Sequence, residues 1–242
     1  MAKNYRHIVR GQASNLEKAC NYLRAALGDS IWLQKLVEAA DTIKTSQTKG
    51  DEWTVEIEDL DLPIDGNPRH LKPDTLKNNL KLFVSIKMTG NGKKWDNNED
   101  CIEDLCFSVR IQEKDQTDPA NVYQTGFHID KMGKDDDKNE MHPLYHVHFV
   151  NESKAGEIES LGMDVPRLSH HPVDLFLGLM LVFANFNKDV YEKLKENGNF
   201  IGLCIESANH IITPYYSRLA APIWGEGNIG EFEKSLCPYL AL

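Results

Sequence analysis

The sequence has no apolar run long enough to cross a bilayer. Its longest, from Val173 to Phe186, is interrupted by Asp174 and falls short of the ~20 residues a membrane helix needs. No membrane association is therefore expected. The start, Met1-Ala2-Lys3-Asn4-Tyr5-Arg6-His7, is followed by no apolar segment of the kind a secretory signal requires, so cytoplasmic residence is the expectation. Cysteine is sparse: Cys20, Cys101, Cys106, Cys204 and Cys237 are odd in number and scattered, without the close pairs of a zinc ribbon or a redox site. They read as reduced thiols, mostly packing residues. Basic charge is also scarce, with 27 Lys and Arg against 37 Asp and Glu and a net charge of −10. No basic cluster exceeds Lys93-Lys94, which opposes the counter-ion release that gives proteins affinity for nucleic acid. A protein partner or a small ligand, such as a phosphorylated small molecule, is the better expectation.

Familiar catalytic signatures are missing as well. There is no Gly-x-Ser-x-Gly elbow and no phosphate-binding glycine loop with lysine. Gly225-Glu226-Gly227-Asn228-Ile229-Gly230 carries the letters of a dinucleotide fingerprint but follows Pro222 and Trp224 with no strand before it. Internal repeats and low-complexity tracts are absent.

What the chain does contain is a clear change of hydrophobic period. With 242 residues, 41% apolar and 26% charged, it fits one soluble α+β domain. Residues 1–50 read as helical, 51–150 as sheet and 151–242 as helical. From Leu16 to Ile43 apolar residues recur at three- and four-residue steps, predicting one or two amphipathic helices with a break at Gly28-Asp29. Alternation then marks strands at Trp53–Ile57, Leu80–Met88, Leu105–Ile111, Val122–Ile129 and Leu144–Val150. The connections between them are polar loops rather than crossover helices, which predicts a five-stranded, mainly antiparallel meander. Asp135-Asp136-Asp137 reads as a solvated hairpin tip, lacking the spaced ligands of a calcium loop. Pro172–Phe186 is apolar all round and predicts an internal helix. Asp189–Glu196 predicts a polar helix, and Phe200–Ile212 another, stopped by Pro214. The C-terminal helices should pack on the sheet.

Six of the nine histidines fall between His128 and His171, and this concentration is the one candidate for chemistry. In a strand, His146 and His148 share a face about 7 Å apart, with Tyr145, Val147 and Phe149 on the other. His128 can join them from a neighbouring strand. Pro172 suits the first position of a helix, making His171 its N-cap and placing Asp174 in the first turn, where amide donors favour a carboxylate. Three readings remain open. As a metal site, His146, His148 and one of His170 or His171 with Asp174 offer a set used by zinc, manganese or non-haem iron. As a metal-free acid/base site, His146 and His170 would act beside Asp174, with Arg167 stabilising developing charge. As a structural network, the histidines, Tyr145, Ser169 and Asp174 would satisfy one another where the late helix docks. No cofactor is the leading expectation, zinc or manganese the alternative.

The run His142-Pro143-Leu144-Tyr145-His146 with Phe149, followed by Pro166-Arg167, His170, Pro172 and Asp174, resembles a group of uncharacterised bacterial proteins. That group carries H-P-x-x-H-x-x-F and P-R-x-x-H-x-P-x-D in this order, often encoded among restriction and phage-defence genes. The resemblance covers His142 to Phe186 and implies a component of a multi-gene defence system, without implying a reaction. His148 and His171 lie outside the fixed positions of its pattern. The order of helix, antiparallel meander and His142-Pro143 pair more weakly resembles ubiquitin-conjugating-type domains, but the next cysteine after that pair is Cys204, so thioester chemistry does not carry over. The leading expectation is a non-catalytic accessory or interaction subunit. Its rival is a hydrolase, metal-dependent or histidine-based, acting on a phosphorylated small molecule or nucleic acid.

Overall fold

The alternating segments form the centre of the protein. A computed structural model describes residues 5–45, 48–64, 80–114, 122–131, 143–150 and 168–220. Two helices, α1 (Arg6–Leu27) and α2 (Ile31–Thr45), precede the strands β1 (Glu52–Leu62) and β2 (Lys81–Asn91). A short helix, α3 (Gly92–Asp96), leads to β3 (Ile102–Lys114), β4 (Val122–Lys131), β5 (Tyr145–Val150) and β6 (Leu168–Ser169). The chain then closes with α4 (Leu175–Phe186), α5 (Lys188–Glu196) and α6 (Gly198–Ala220). All neighbouring strands pair antiparallel in the order β1-β2-β3-β4-β5-β6. The fold is thus α+β, with helices at both ends.

Because the side-chain period of a strand is two, the register sorts residues onto two faces. One face carries Trp53, Val55, Leu82, Val84, Ile86, Leu105, Phe107, Val109, Ile129 and Tyr145, all buried. These join buried residues of α1, α2, α4 and α6 in one core cluster. At ~1.5–3 kcal/mol for each fully buried large apolar side chain, this face dominates the stability. Helix α4 approaches closely because Gly178 sits over the Phe107 ring, where a Cβ would overlap its edge. The opposite face is polar, and one row crosses all six strands: Glu56, Lys87, Cys106, Asp130, His146 and Ser169.

The sheet has six strands, not five, and β6 carries it past the expected boundary at residue 150. Helix α1 starts at Arg6 rather than near Leu16, since Tyr5, Ile8, Val9 and Ala13 extend its buried stripe. It is capped by Gly28, whose positive φ of 78° glycine adopts without the strain a Cβ would bring. Pro214 does not stop α6 but lies inside it, buried; Tyr215 and Leu219 beyond it are buried too, and that packing offsets a helix-interior proline cost of about 3 kcal/mol. Helix α3 forms in the expected loop because Asn91 Oδ1 accepts from the amides of Lys93 and Lys94 at 3.0 and 3.2 Å. The aspartate run 135–137, the segment 225–230 and Cys237 lie outside the described residues.

Candidate functional site

Two adjacent rows on the polar face create a small grid at β3, β4 and β5. Cys106 faces Asp130, which faces His146; Ser108 faces His128, which faces His148. The His128 and His148 rings stack with centroids 5.1 Å apart at 10°, and His146 lies 6.0 Å from His148 at 23°. His148 Nδ1 is 3.6 Å from Asp130 Oδ2, and Cys106 Sγ is 3.9 Å from His128 Nδ1. His146 is buried, at 4% exposure, with its Nδ1 3.1 Å from the Pro143 carbonyl oxygen. Since a carbonyl only accepts, Nδ1 carries the proton of the neutral ring and the lone pair sits on Nε2. Asp130 Oδ1 is buried with no hydrogen bond. Burial, reinforced by the Asp130 charge, pushes the Cys106 thiol up to about 12, so it is no activated nucleophile at neutral pH.

His146 and His148 therefore share a face, and His128 joins them across the ladder, as their spacing predicts. Asp174 goes elsewhere. It is itself the N-cap of α4, with extended backbone and Oδ1 accepting from the Leu177 amide at 3.1 Å. This corrects the assignment of His171 as cap and Pro172 as first helical residue. Residues 170–174 stay non-helical, and the first residue of the helix is Leu175. The buried Asp174 carboxyl also hydrogen-bonds Ser207 of α6, and its pKa is raised because desolvation outweighs these contacts.

His170 continues alongside β5, its amide donating to the Tyr145 carbonyl at 2.9 Å. Its Nδ1 lies 2.6 Å from the His171 carbonyl oxygen, and the two imidazole rings are 4.3 Å apart. Burial first, and the neighbouring His170 second, lower the His171 pKa. Arg167 and His142 lie outside the described residues.

Among the described residues, two sets bring possible metal donors within 4.8 Å of one another: Asp130, His146 and His148, and Cys106, His128 and Asp130. Neither contains Asp174, His170 or His171. Asp130 is the shared member and was missed by the sequence reading. Its signal is the pair His128-x-Asp130, which matches His146-x-His148 only once the β4–β5 register is known.

A second polar cluster, also unforeseen, sits on the helical face. Tyr145 Oη donates to Asp100 Oδ1 at 2.8 Å, while Lys131 Nζ and Arg218 Nη1 lie 3.4 and 3.5 Å from Asp100 Oδ2. Lys131 also donates to the Ile102 carbonyl and sits 5.2 Å above the Tyr145 ring. Desolvation lowers the Lys131 pKa and raises those of Tyr145 and, to about 12, Tyr215. The Tyr145 and Tyr215 rings meet edge to face at 5.0 Å. This cluster fastens α6 to the sheet.

No protein-family model, curated protein or solved structure matches the chain.

Proposed function

We propose that the protein is a non-catalytic accessory subunit of a bacterial cytoplasmic multi-protein system, working by binding another polypeptide. The carrying observation lies at the last two strands. Phe149 and Leu168 stand on the face that is apolar and buried elsewhere, yet they are 51% and 54% exposed. Phe127 extends the patch, meeting Phe149 edge to face at 6.3 Å. A partner covering these side chains would gain roughly 25 cal/mol for each Å² of apolar surface removed from water. The net charge of −10 also favours a protein partner over nucleic acid. The resemblance of residues 142–186 to proteins encoded beside phage-defence genes supports a defence setting.

Pull-down from native host extract tests this reading. Wild-type protein is expected to retain a stoichiometric partner that a Phe149→Glu/Leu168→Glu variant loses while its melting temperature is kept. Recovery of no stoichiometric partner by the wild type contradicts it.

One observation favours a second reading, a metal-dependent hydrolase of a phosphorylated small molecule or nucleic acid: the convergence of Asp130, His146 and His148. Phosphate-ester turnover with added zinc or manganese, abolished by His148→Gln, is its expected outcome. Turnover that survives this substitution contradicts it.

A further inference from the structure

We propose that Asp130, His146 and His148 bind one zinc ion on the polar face of the sheet, His146 through Nε2. This inference is independent of the partner reading and deepens the metal-dependent one by naming its ligands; zinc binding without phosphate-ester turnover would separate the two.

Two imidazole nitrogens and a carboxylate oxygen form a donor set suited to zinc, with bonds of about 2.0–2.2 Å, which puts donors in a tetrahedral shell roughly 3.3–3.6 Å apart. His148 Nδ1 and Asp130 Oδ2 are already 3.6 Å apart. One ligand atom from each of the three residues lies within 4.8 Å of the other two, so side-chain rotations bring the three groups to one ion. The sheet fixes their origins: Asp130 and His146 are register partners, and His148 follows two residues along β5. Little order has to be created on binding.

The surroundings agree with that assignment. A ligating histidine ordinarily donates its other ring N–H to an oxygen, which fixes ring orientation and tautomer. Pro143 provides that oxygen for His146 at 3.1 Å. Asp130 Oδ1 is buried without a hydrogen bond, and a cation beside it offsets the cost of that burial. Access is available, because the side chains of His148 and Asp130 remain 30% and 22% exposed. Three protein donors leave a fourth position for water or a group from another molecule.

The competing set, Cys106, His128 and Asp130, meets the same distance test. Its thiol already contacts His128 Nδ1, and it has no described carbonyl orienting its imidazole as Pro143 orients His146. A thiolate ligand gives cobalt a charge-transfer absorption that nitrogen and oxygen donors do not, so the two sets are separable.

The full chain, stripped with chelator, is titrated with zinc by calorimetry and with cobalt by visible absorption. One equivalent is expected to bind, with cobalt bands lacking thiolate charge transfer. Asp130→Asn, His146→Ala and the less buried His148→Gln should each weaken binding by at least about tenfold, and Cys106→Ser should leave it unchanged. Circular dichroism confirms that each variant is folded, and His148→Gln decides if His146→Ala is not. The proposal is overturned if the folded wild type shows no saturable binding or if His148→Gln binds as the wild type does. It is equally overturned if Cys106→Ser abolishes binding together with a thiolate band.

Discussion

Asp130 and Lys131 are consecutive in β4, yet they leave the sheet by opposite faces, Asp130 towards His148 at 3.6 Å and Lys131 towards Asp100 at 3.4 Å. The pleat thereby separates two polar clusters by the thickness of one sheet. The histidine grid is open to water through the partly exposed His148 and Asp130, whereas the Asp100 cluster lies under the helices with the Asp100 side chain only 3% exposed. Their sensitivities to substitution should differ accordingly.

Removing the Tyr145 hydroxyl takes away the 2.8 Å donor to Asp100 Oδ1 in a buried site. Tyr145→Phe is expected to cost about 1–3 kcal/mol. Lys131→Met, which removes a buried partner of the same carboxylate, should cost more, about 3–5 kcal/mol, with Arg218 as the remaining cation. Urea denaturation measures both. Losses below about 0.5 kcal/mol, the range of ordinary surface substitutions, would contradict the assigned role of the cluster.

Asp174 has a pH signature. Burial raises its pKa above the ordinary 3.8, so the folded chain holds this proton more tightly than the unfolded one. Between 3.8 and the higher folded value the folded state binds more protons, and stability falls as pH rises through that window. The contribution is fully present below the unfolded value and lost above the folded one. Asp174→Asn keeps an oxygen for the Leu177 amide but cannot titrate. Its stability relative to wild type should therefore be better near neutrality than at about pH 4. A difference that is flat with pH, or of opposite sign, contradicts the raised pKa. Asp174→Ala, without the cap, should cost a further ~1 kcal/mol at both pH values.

Gly178→Ala probes the seat of α4 on the sheet. An added methyl would overlap the Phe107 ring, itself wholly buried, so neither side has room to yield. Overpacking of this kind costs typically about 1–3 kcal/mol, although alanine is the better helix former by ~1 kcal/mol. A net loss of melting temperature is expected. A gain would show that α4 lies further from β3 than described.

The strands β1 to β5 were legible because each buries one side, and Tyr145 opposite His146 follows from the same alternation. Strand β6 was not, since two residues, Leu168 and Ser169, carry no period. Asp130 escaped because its partnership with His146 depends on register across a ladder, which no local spacing encodes. The N-cap was misplaced by three residues: His171-Pro172 has the letters of a helix start, but the chain remains non-helical until Asp174, whose carboxylate caps the helix. Pro214 misled for a related reason, its local penalty being outweighed by the burial of Tyr215 and Leu219.

The most direct test of the two-face account compares Asp130→Asn with Asp174→Asn, measuring cobalt binding and thermal stability on the same samples. Asp130→Asn is predicted to lose cobalt binding at nearly unchanged melting temperature, and Asp174→Asn to bind cobalt as the wild type does while its stability alone responds. Loss of cobalt binding in a folded Asp174→Asn variant, with Asp130→Asn unaffected, would contradict it.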